Sequence, residues 1–297
     1  MNLKDLVTDY TAHQRGRGLS PKTVELSRYA LDTFTKWGAA NQVTEPSDLD
    51  QRALDRYSAY LINEHEVHVG TGWRRLSRAT CRTYVRTLST FLSWCQAEGE
   101  LAGKVRAQQP RAEKKLKEIL TREEIDKLEN AAELERDKIM IRLLADSGIR
   151  LGELLSLRPS DLTEVGRERY VKVRGKTGER LVPVLPAFFT RLRRYAGRGP
   201  RIFMTTRKSP RTGIYEPLRA RSVENMLKYA ATKAGIEKRV HPHVLRHSMV
   251  TEWLRQHKNP VSLQHILGWS SLAMLRDYEH LVVSDSYDAM LDFHRSA

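Results

Sequence analysis

The sequence predicts a mainly α-helical protein of two domains, with a small β-sheet confined to the second domain. Its 297 residues are enough for two separate cores. The first hundred residues have apolar side chains at helical spacing only, whereas short β-branched runs occur between residues 168 and 184. A polar, basic stretch containing Gly99, Gly103 and Pro110 lies between these parts. We therefore expect a helical domain at residues 1–105, a linker at 106–118 and a mixed α+β domain at 119–297.

The composition favours a polyanionic partner. The chain has 51 Lys and Arg against 36 Asp and Glu, a formal net charge of +15. Such an excess favours nucleic acid, because each neutralised phosphate releases condensed counterions. Residues 1–105 carry 14 basic and 12 acidic side chains, so the first domain must use the placement of charge and not its total. A basic protein without such a partner remains possible on charge alone.

Cysteine usage and the absence of targeting signals predict a cytoplasmic protein that acts without a membrane. Cys81 and Cys95 lie in an apolar helical pattern and have neither disulfide-framework nor metal-ligand spacing. The first residues are charged and lack the apolar region of a signal peptide. No apolar run approaches the roughly 20 residues that span a bilayer. We expect no metal site.

The first domain reads as a series of helices. Ser20-Pro21 predicts a helix start, and Gly38 its end, with an apolar repeat between them formed by Leu26, Tyr29, Ala30, Thr33, Phe34 and Trp37. A second helix follows, with Leu54, Tyr57, Leu61 and Ile62 on one side. The segment with Gly70, Gly72 and Trp73 is expected to be a loop with little regular structure.

The helix from about Ser77 to Ala97 carries arginines on the side opposite its apolar stripe. A charge run on a helix is usually only a solvated face. Here the charges have one sign and no carboxylates to pair with, which favours DNA and would suit a major groove. The candidate DNA-binding residues of this region are Arg74, Arg75, Arg78, Arg82 and Arg86.

The second domain supplies separate pieces of possible chemistry. Thr121 and Glu124 form a capping-box pattern, and a helix from about 136 to 147 should end at Gly148. Arg150 and Glu153 can share a helical face, where a carboxylate can orient a guanidinium for phosphate. Taken alone, such a pair is more often a surface ion pair.

Two further elements of this domain carry basic side chains. Glu168–Val173 and Arg180–Val184 read as a β-hairpin with Lys176 at its tip, normally just a surface residue. A helix from about 222 to 234 follows, and Arg219 and Arg221 beside it are further candidates for DNA contact.

The C-terminal stretch from His241 to His280 concentrates phosphate-seeking and proton-handling side chains. His243, Arg246 and His247 stand at its front, and Trp269 and Tyr278 at its back. Leu245, Met249, Trp253 and Ile266 are the expected core anchors between them. A tyrosine is usually a half-buried residue with a hydrogen-bonded hydroxyl. This grouping instead predicts a phosphate held beside a phenol.

Five elements in order resemble the tyrosine recombinases, the phage-integrase family. They are Arg150 in GIRLGELLSL, Lys176 in a strand–turn–strand, His243-x-x-Arg246-His247, Gly268-Trp269, and Tyr278 in RDYEH. Each motif alone is weak, but the ordered set is specific and covers the whole chain. The resemblance implies a helical core-binding (SAM-like) domain followed by a catalytic domain. In size the chain resembles Xer-type dimer resolvers or simple integrases, so we expect no extra arm-binding module.

The resemblance implies a site-specific recombinase that cleaves and rejoins DNA through a 3′-phosphotyrosyl bond and a Holliday junction, for integration, excision or dimer resolution. Tyr278 would be the nucleophile, and Arg150 and Arg246 would neutralise the phosphate. His243 would donate to a phosphate oxygen or help take the proton of Tyr278. Lys176 would be the general acid for the departing 5′-oxygen. Glu153 and His247 are supporting residues, and no cofactor is expected.

One residue departs from the family pattern. Most relatives have a second histidine where this chain has Trp269. Cre recombinase is a relative that also has a tryptophan at this position. An indole N–H can donate a hydrogen bond to phosphate but cannot titrate. Proton transfer would then depend on Lys176 and His243. We expect Trp269→His to retain some cleavage activity and Trp269→Ala to lose most of it.

The implied partner is double-stranded DNA with an inverted-repeat core site, bound by a homotetramer in the synapsed complex, with a monomer as the candidate free form. Residues 284–297 either dock into a neighbouring protomer or pack on their own domain. A type IB topoisomerase shares this chemistry, although size and motif spacing count against it. A DNA-binding regulator with decayed chemistry is disfavoured by the intact residue set.

Overall fold

The chain divides into two compact units, Met1–Lys115 and Leu116–Ala297. The computed structural model describes residues 1–103, 105–110, 118–175, 178–197, 199–256 and 258–278. The first unit continues past residue 105, because Ala107 is buried and the Arg106 carbonyl accepts a hydrogen bond from the Gln51 side chain at 3.0 Å. Residues 111–117 of the expected linker, and the segment 284–297, lie outside the described residues.

Four helices form the body of the N-terminal unit, and their starts follow from local chemistry. Ser20, Asp50 and Ser77 each accept a backbone N–H in the first turn of the helix that follows. The core is aromatic and aliphatic, with Phe34 and Tyr57 fully buried. The helices are α1 (Leu3–Gly16), α2 (Pro21–Ala40), α3 (Gln51–Asn63) and α4 (Arg78–Ala97).

The apolar repeat of α2 is only partly a core stripe. Ala30, Phe34 and Trp37 are buried as expected, but Leu26 and Tyr29 are exposed. Both exposed residues fit the helical period. The predicted stripe was wider than the surface that the neighbouring helices cover.

The segment expected to be a loop is a β-hairpin. Strand β1 (Glu66–Val69) pairs antiparallel with β2 (Gly72–Arg75) across a two-residue turn, in which Gly70 has a positive φ of 65°. The prediction was wrong because the glycines were read as breakers, whereas Gly70 makes the tight hairpin turn possible.

The arginine side of α4 is solvent-facing, as its spacing predicts. The helix buries Cys81, Tyr84, Val85, Leu88, Phe91, Leu92 and Cys95. Arg78, Arg82 and Arg86 are exposed. Burial raises the pKa of the Cys95 thiol to about 12, so this cysteine is a packed apolar side chain and not a reactive thiolate.

The C-terminal unit is helical around a three-stranded antiparallel sheet. Strand β3 (Leu162–Val165), which is not among the predicted strands, pairs with β4 (Glu168–Gly175), and β4 pairs with β5 (Gly178–Pro183). The helices are α5 (Arg122–Ala131), α6 (Glu135–Ser147), α7 (Leu151–Ser156), α8 (Pro186–Tyr195), α9 (Ala220–Lys233), α10 (Pro242–Arg255) and α11 (Pro260–Leu267), followed by a 3₁₀ segment, Leu272–Tyr278.

Helix ends in this unit have the caps that the sequence predicts. Thr121 and Glu124 form both bonds of the expected capping box. Gly148 ends α6 and Gly268 ends α11, both with left-handed backbone. The mainly helical fold with small antiparallel sheets is therefore confirmed. Among the described residues, no helix has both the length and the apolarity required to cross a membrane.

Candidate active site

The site is built around Glu153, a carboxylate that is only 2% exposed. Arg180 of β5 donates to it with both terminal nitrogens, each bond 2.9 Å long. Arg150, at the start of α7, donates its backbone N–H at 2.8 Å and its side chain at 3.0 Å. Glu153 thus holds two guanidinium groups on one buried anion.

The charge state of Glu153 follows from these contacts. Burial alone would raise the pKa of its carboxyl group, but hydrogen bonds from Arg180 and Arg150 outweigh burial and hold the pKa below its ordinary value. The carboxylate is therefore ionised at neutral pH. It also restrains the rotation of the Arg150 side chain, which remains 39% exposed and accessible to a ligand.

Two arginines converge on the C-terminal end of α11. The Leu267 carbonyl oxygen accepts hydrogen bonds from Arg246 at 3.1 Å and from Arg150 at 3.5 Å. Arg246 also donates to the Gly148 carbonyl. Carbonyls at a helix C-terminus carry partial negative charge, which favours cations there. These hydrogen bonds join distant parts of the chain: Arg246 and Gly148 are 98 residues apart, and Arg150 and Leu267 are 117 residues apart.

The convergence creates a local excess of positive charge. Arg246 is buried, and desolvation, together with neighbouring Arg150, lowers the pKa of its guanidinium to about 10. It is still charged at neutral pH. The Glu153 carboxylate is hydrogen-bonded to Arg180 and Arg150 and not to Arg246. An anion placed beside Arg150 and Arg246 would therefore be stabilised by both guanidiniums.

Tyr278 lies beside this arginine group and is only 4% exposed. It packs with Val250, Leu263 and Leu267, so the apolar cluster of α10 and α11 fixes the ring. Its hydroxyl is hydrogen-bonded to Nδ1 of His247. The phenol is thus buried with a proton acceptor or donor against its oxygen.

Of the two histidines on α10, the structure pairs His247 with the tyrosine. His243 is exposed in the first turn of the helix, with its ring 6.3 Å from that of His241. His243 and His247 are one helical turn apart and so lie on the same side of α10. The family resemblance instead implies a proton-handling role for His243 and a supporting role for His247.

Trp269 stands between the arginine and tyrosine groups. Its ring centroid is 5.9 Å from the Arg246 guanidinium carbon and 6.4 Å from the Tyr278 ring. Its backbone is held by Gln264, which exchanges hydrogen bonds of 3.1 and 3.2 Å with it. A tryptophan here can contribute a cation–π contact to Arg246 in addition to its N–H donor.

Arg180 is the member of the site that sequence reasoning missed. Besides Glu153, it donates to the Ile266 carbonyl at 2.7 Å and so ties β5 to α11. A Cβ at Gly268 would lie 2.9–3.0 Å from the Arg180 guanidinium, so a glycine is needed here to avoid a clash. Glycine also readily adopts the positive φ of 61° at this position. Arg180 is two residues before buried Val182, and alternation along the strand could have flagged an inward-facing arginine.

Other candidate residues lie apart from this group or outside the described residues. Lys176 is not among the described residues, although its neighbours Gly175 and Gly178 are cross-strand partners. Arg219 and Arg221 are exposed at the start of α9, where Arg221 lies 3.6 Å from Glu224. The described residues contain no group of three or more His, Cys, Asp or Glu side chains able to hold a metal ion.

Comparison with known proteins identifies relatives of the chain. The model of the phage integrase family matches residues 118–284. The chain is 29% identical over 300 residues to tyrosine recombinase XerC of Xylella fastidiosa strain M23, with 96% of each protein covered.

Two solved structures share the fold. An integrase of the Tn1549 transposon, in complex with transposon right end DNA, matches with a TM-score of 0.75 and 17% identity, covering 99% of this chain and 100% of that one. A lambda integrase tetramer bound to a Holliday junction matches with a TM-score of 0.67 and 20% identity, covering 91% and 78%.

Proposed function

Because this chain belongs to the phage integrase family, we propose that it is a site-specific DNA recombinase. It cleaves and rejoins DNA strands through a 3′-phosphotyrosyl intermediate and a Holliday junction. The similarity to a tyrosine recombinase over 96% of both chains supports this class of enzyme. The reaction it serves is integration, excision or dimer resolution.

The observation that carries the proposal is the convergence of Arg150 and Arg246 beside the Tyr278 hydroxyl. Both guanidiniums donate to the Leu267 carbonyl, and Arg246 lies under the Trp269 ring that neighbours Tyr278. Attack on a phosphodiester builds charge on its non-bridging oxygens, and fixed cations stabilise that charge without reorganising. Two arginines beside a phenol provide this arrangement.

The proposed reaction balances through groups of this chain. The Tyr278 oxygen attacks the phosphorus, its proton passes to His247, and the bond to the 5′-oxygen breaks. Lys176 supplies the proton for that oxygen, and His243 and Trp269 donate to phosphate oxygens. The phosphotyrosyl bond stores the energy of the phosphodiester, so rejoining is the reverse attack by a 5′-hydroxyl.

The two units take different parts in this proposal. The N-terminal unit binds DNA through the exposed arginines of α4, Arg78, Arg82 and Arg86, and residues 119–297 form the catalytic domain. The substrate is double-stranded DNA with an inverted-repeat core site. The expected linker, whose residues Arg106 and Ala107 pack on the N-terminal unit, joins the two, and the protein acts in the cytoplasm where that DNA is found.

We place the active form as a homotetramer on synapsed DNA, with residues 284–297 as the connecting segment. An apolar cavity of about 420 Å³ in the C-terminal unit fits the role of acceptor. Leu143, Phe188, Met249 and Trp253 line it. Residues 284–297 contain apolar side chains among three aspartates, including Tyr287, Met290, Leu291 and Phe293.

Deletion of residues 284–297 should leave DNA binding intact and abolish the tetramer measured on DNA by light scattering. Phe188→Asp, which places a charge in the cavity, should have the same effect, while Val165→Asp on an exposed strand end is the matched control. Tetramers of normal stability in the deletion variant would reject the docking role.

The proposed chemistry is tested by trapping covalent protein–DNA adducts in cells and sequencing the attached DNA. The wild-type protein should yield adducts at a defined site, and Tyr278→Phe should yield none. A nicked duplex made from the recovered sequence then traps the adduct in vitro, since the cleaved fragment diffuses away. Adducts of equal yield from Tyr278→Phe would refute the assignment of the nucleophile.

A further inference from the structure

The β1–β2 hairpin has two unlike faces. Cross-strand pairing places His68 opposite Trp73 and Glu66 opposite Arg75 on one face, which we call the outer face of the hairpin. The other face carries Val67, which is half-buried and thus directed toward the body of the unit. Side chains alternate along a strand, so the outer face is the one turned away from the core.

The base of the hairpin is anchored, and its body is exposed. His65, just before β1, hydrogen-bonds through Nδ1 to the Tyr60 hydroxyl at 3.1 Å. Leu76, just after β2, packs against the core of the N-terminal unit. All four residues of β2 between these anchors are exposed. A two-stranded ribbon is marginally stable alone, so these anchors are what keep it in place.

Trp73 is the most exposed large apolar side chain among the described residues, with 68% of its surface accessible. Its only ring neighbour among those residues is His68, in an edge-to-face contact with centroids 5.5 Å apart. An apolar side chain of this size gains free energy when a partner covers it. The hairpin therefore presents an aromatic pair to solvent.

The charge around the hairpin identifies the kind of partner. Arg75 ends β2 three residues before Arg78 begins α4, and Arg82 and Arg86 continue the line along the helix. Within the described chain, no carboxylate lies within 4.0 Å of these four guanidiniums. Glu66 is the single acidic side chain on the outer face. A continuous row of exposed arginines next to an exposed aromatic pair is complementary to a nucleic-acid backbone and its sugars.

We propose that the outer face of the hairpin is a second DNA-contact surface, joined to that of α4. Arg75 neutralises a phosphate next to those bound by the α4 arginines. Trp73 and His68 pack against the sugars or an open base step beside it. A two-stranded ribbon has the dimensions to enter a groove of B-DNA. The inference rests on the proposed function, because that function supplies double-stranded DNA as the ligand.

The test uses the full-length protein and a fluorescent 30-base-pair duplex of mixed sequence, with affinity measured by anisotropy over a range of salt. Trp73→Ala should weaken binding roughly fivefold or more, by loss of an aromatic packing contact. Arg75→Ala should lower the slope of log affinity against log salt by about 0.9, the value for one phosphate. Glu66→Gln should tighten binding, since it removes a repelled charge.

Two matched controls lie elsewhere in the N-terminal unit. Tyr29→Ala removes an exposed aromatic ring from α2, and Arg15→Ala removes an exposed arginine from α1. Both should bind the duplex as the wild type does. Trp73→Phe should keep most of the affinity while losing the part of the tryptophan fluorescence change that DNA causes at position 73.

The outcomes separate this inference from the proposed chemistry. Unchanged affinity and salt slope in Trp73→Ala and Arg75→Ala would overturn it. Unchanged DNA binding with loss of the tetramer would overturn it too, and would assign the hairpin to a contact between protomers. Weaker binding in these variants supports it even if Tyr278-dependent adducts never form, a result that contradicts only the recombinase chemistry.

Discussion

Glu153 shows how one buried residue organises the candidate site. It holds Arg150 and Arg180, and its replacement by glutamine would leave Arg180, only 12% exposed, without a charged partner. Removing one member of a buried ion pair costs roughly 3 kcal/mol, because the other charge stays desolvated. We expect E153Q to lose about that much unfolding free energy in urea titrations and to cleave DNA slowly. Glu133→Gln, in the exposed pair with Lys233, should change little.

The same carboxylate predicts a pH dependence. The folded-state pKa of Glu153 is lowered. Its full contribution to the free energy of unfolding is therefore present above the unfolded-state pKa, about 4.3 for glutamate. The contribution is lost as pH falls through the lower folded-state value. The stability difference between wild type and E153Q should therefore be constant above about pH 5 and shrink under more acidic conditions. A difference that grew toward low pH would contradict the ion-pair account.

His247 is the residue whose role the structure changes most. Its contact with the Tyr278 hydroxyl makes it the proposed proton acceptor, so His247→Ala should slow adduct formation roughly a hundredfold. A substrate with sulfur at the bridging 5′ position distinguishes the general base from the general acid. A thiolate leaves without protonation, so this substrate does not need the general acid. It should rescue Lys176→Ala and not His247→Ala. Exposed His265 is the control, and rescue of His247→Ala would assign the acid role to that histidine.

At the scale of elements, α4 is expected to dominate DNA binding by the N-terminal unit. The double variant R82A/R86A removes two exposed arginines from the same face of the helix. The slope of log affinity against log salt should fall by about 1.8, the value for two phosphates. The change should be similar for unrelated duplex sequences if these contacts are only to phosphates. An unchanged slope would show that the α4 arginines form only a solvated helix face and do not contact phosphates.

Helix starts could be predicted from sequence because capping is local. Ser20, Ser77 and Thr121 all cap the helices expected at those points. The exposure of Leu26 and Tyr29 could not be predicted, because it depends on which neighbours cover α2. The hairpin at Glu66–Arg75 was missed because glycine marks both breaks and tight turns.

The candidate site shows the same division. Ordered motifs predict most of its chemistry-bearing residues. Strand alternation indicates only that Arg180 faces inward, because its contacts with Glu153 and the Ile266 carbonyl span 27 and 86 residues. The choice between His243 and His247 as the partner of Tyr278 likewise depends on how the 3₁₀ segment returns to α10. That return is set by the apolar packing of Tyr278 and not by its local sequence.

At the scale of the whole molecule, charge and chemistry are divided between the two units. Residues 116–297 carry 33 basic and 23 acidic side chains, so most of the net positive charge accompanies the Arg150, Arg246 and Tyr278 group. The N-terminal unit, residues 1–115, carries 18 basic and 13 acidic side chains, and five of its arginines lie on α4 and the hairpin before it. We infer that the first unit contributes oriented DNA contacts, and that the second contributes most of the net positive charge and the reaction.

Strand exchange between two DNA molecules tests the central claim most directly. Two duplexes that carry the recovered site and different labels should yield recombinant products, with a four-way junction accumulating early, when wild-type protein is added. Tyr278→Phe should yield neither product. Relaxation of supercoiled DNA without any exchange between the labelled duplexes would contradict the account and indicate a type IB topoisomerase.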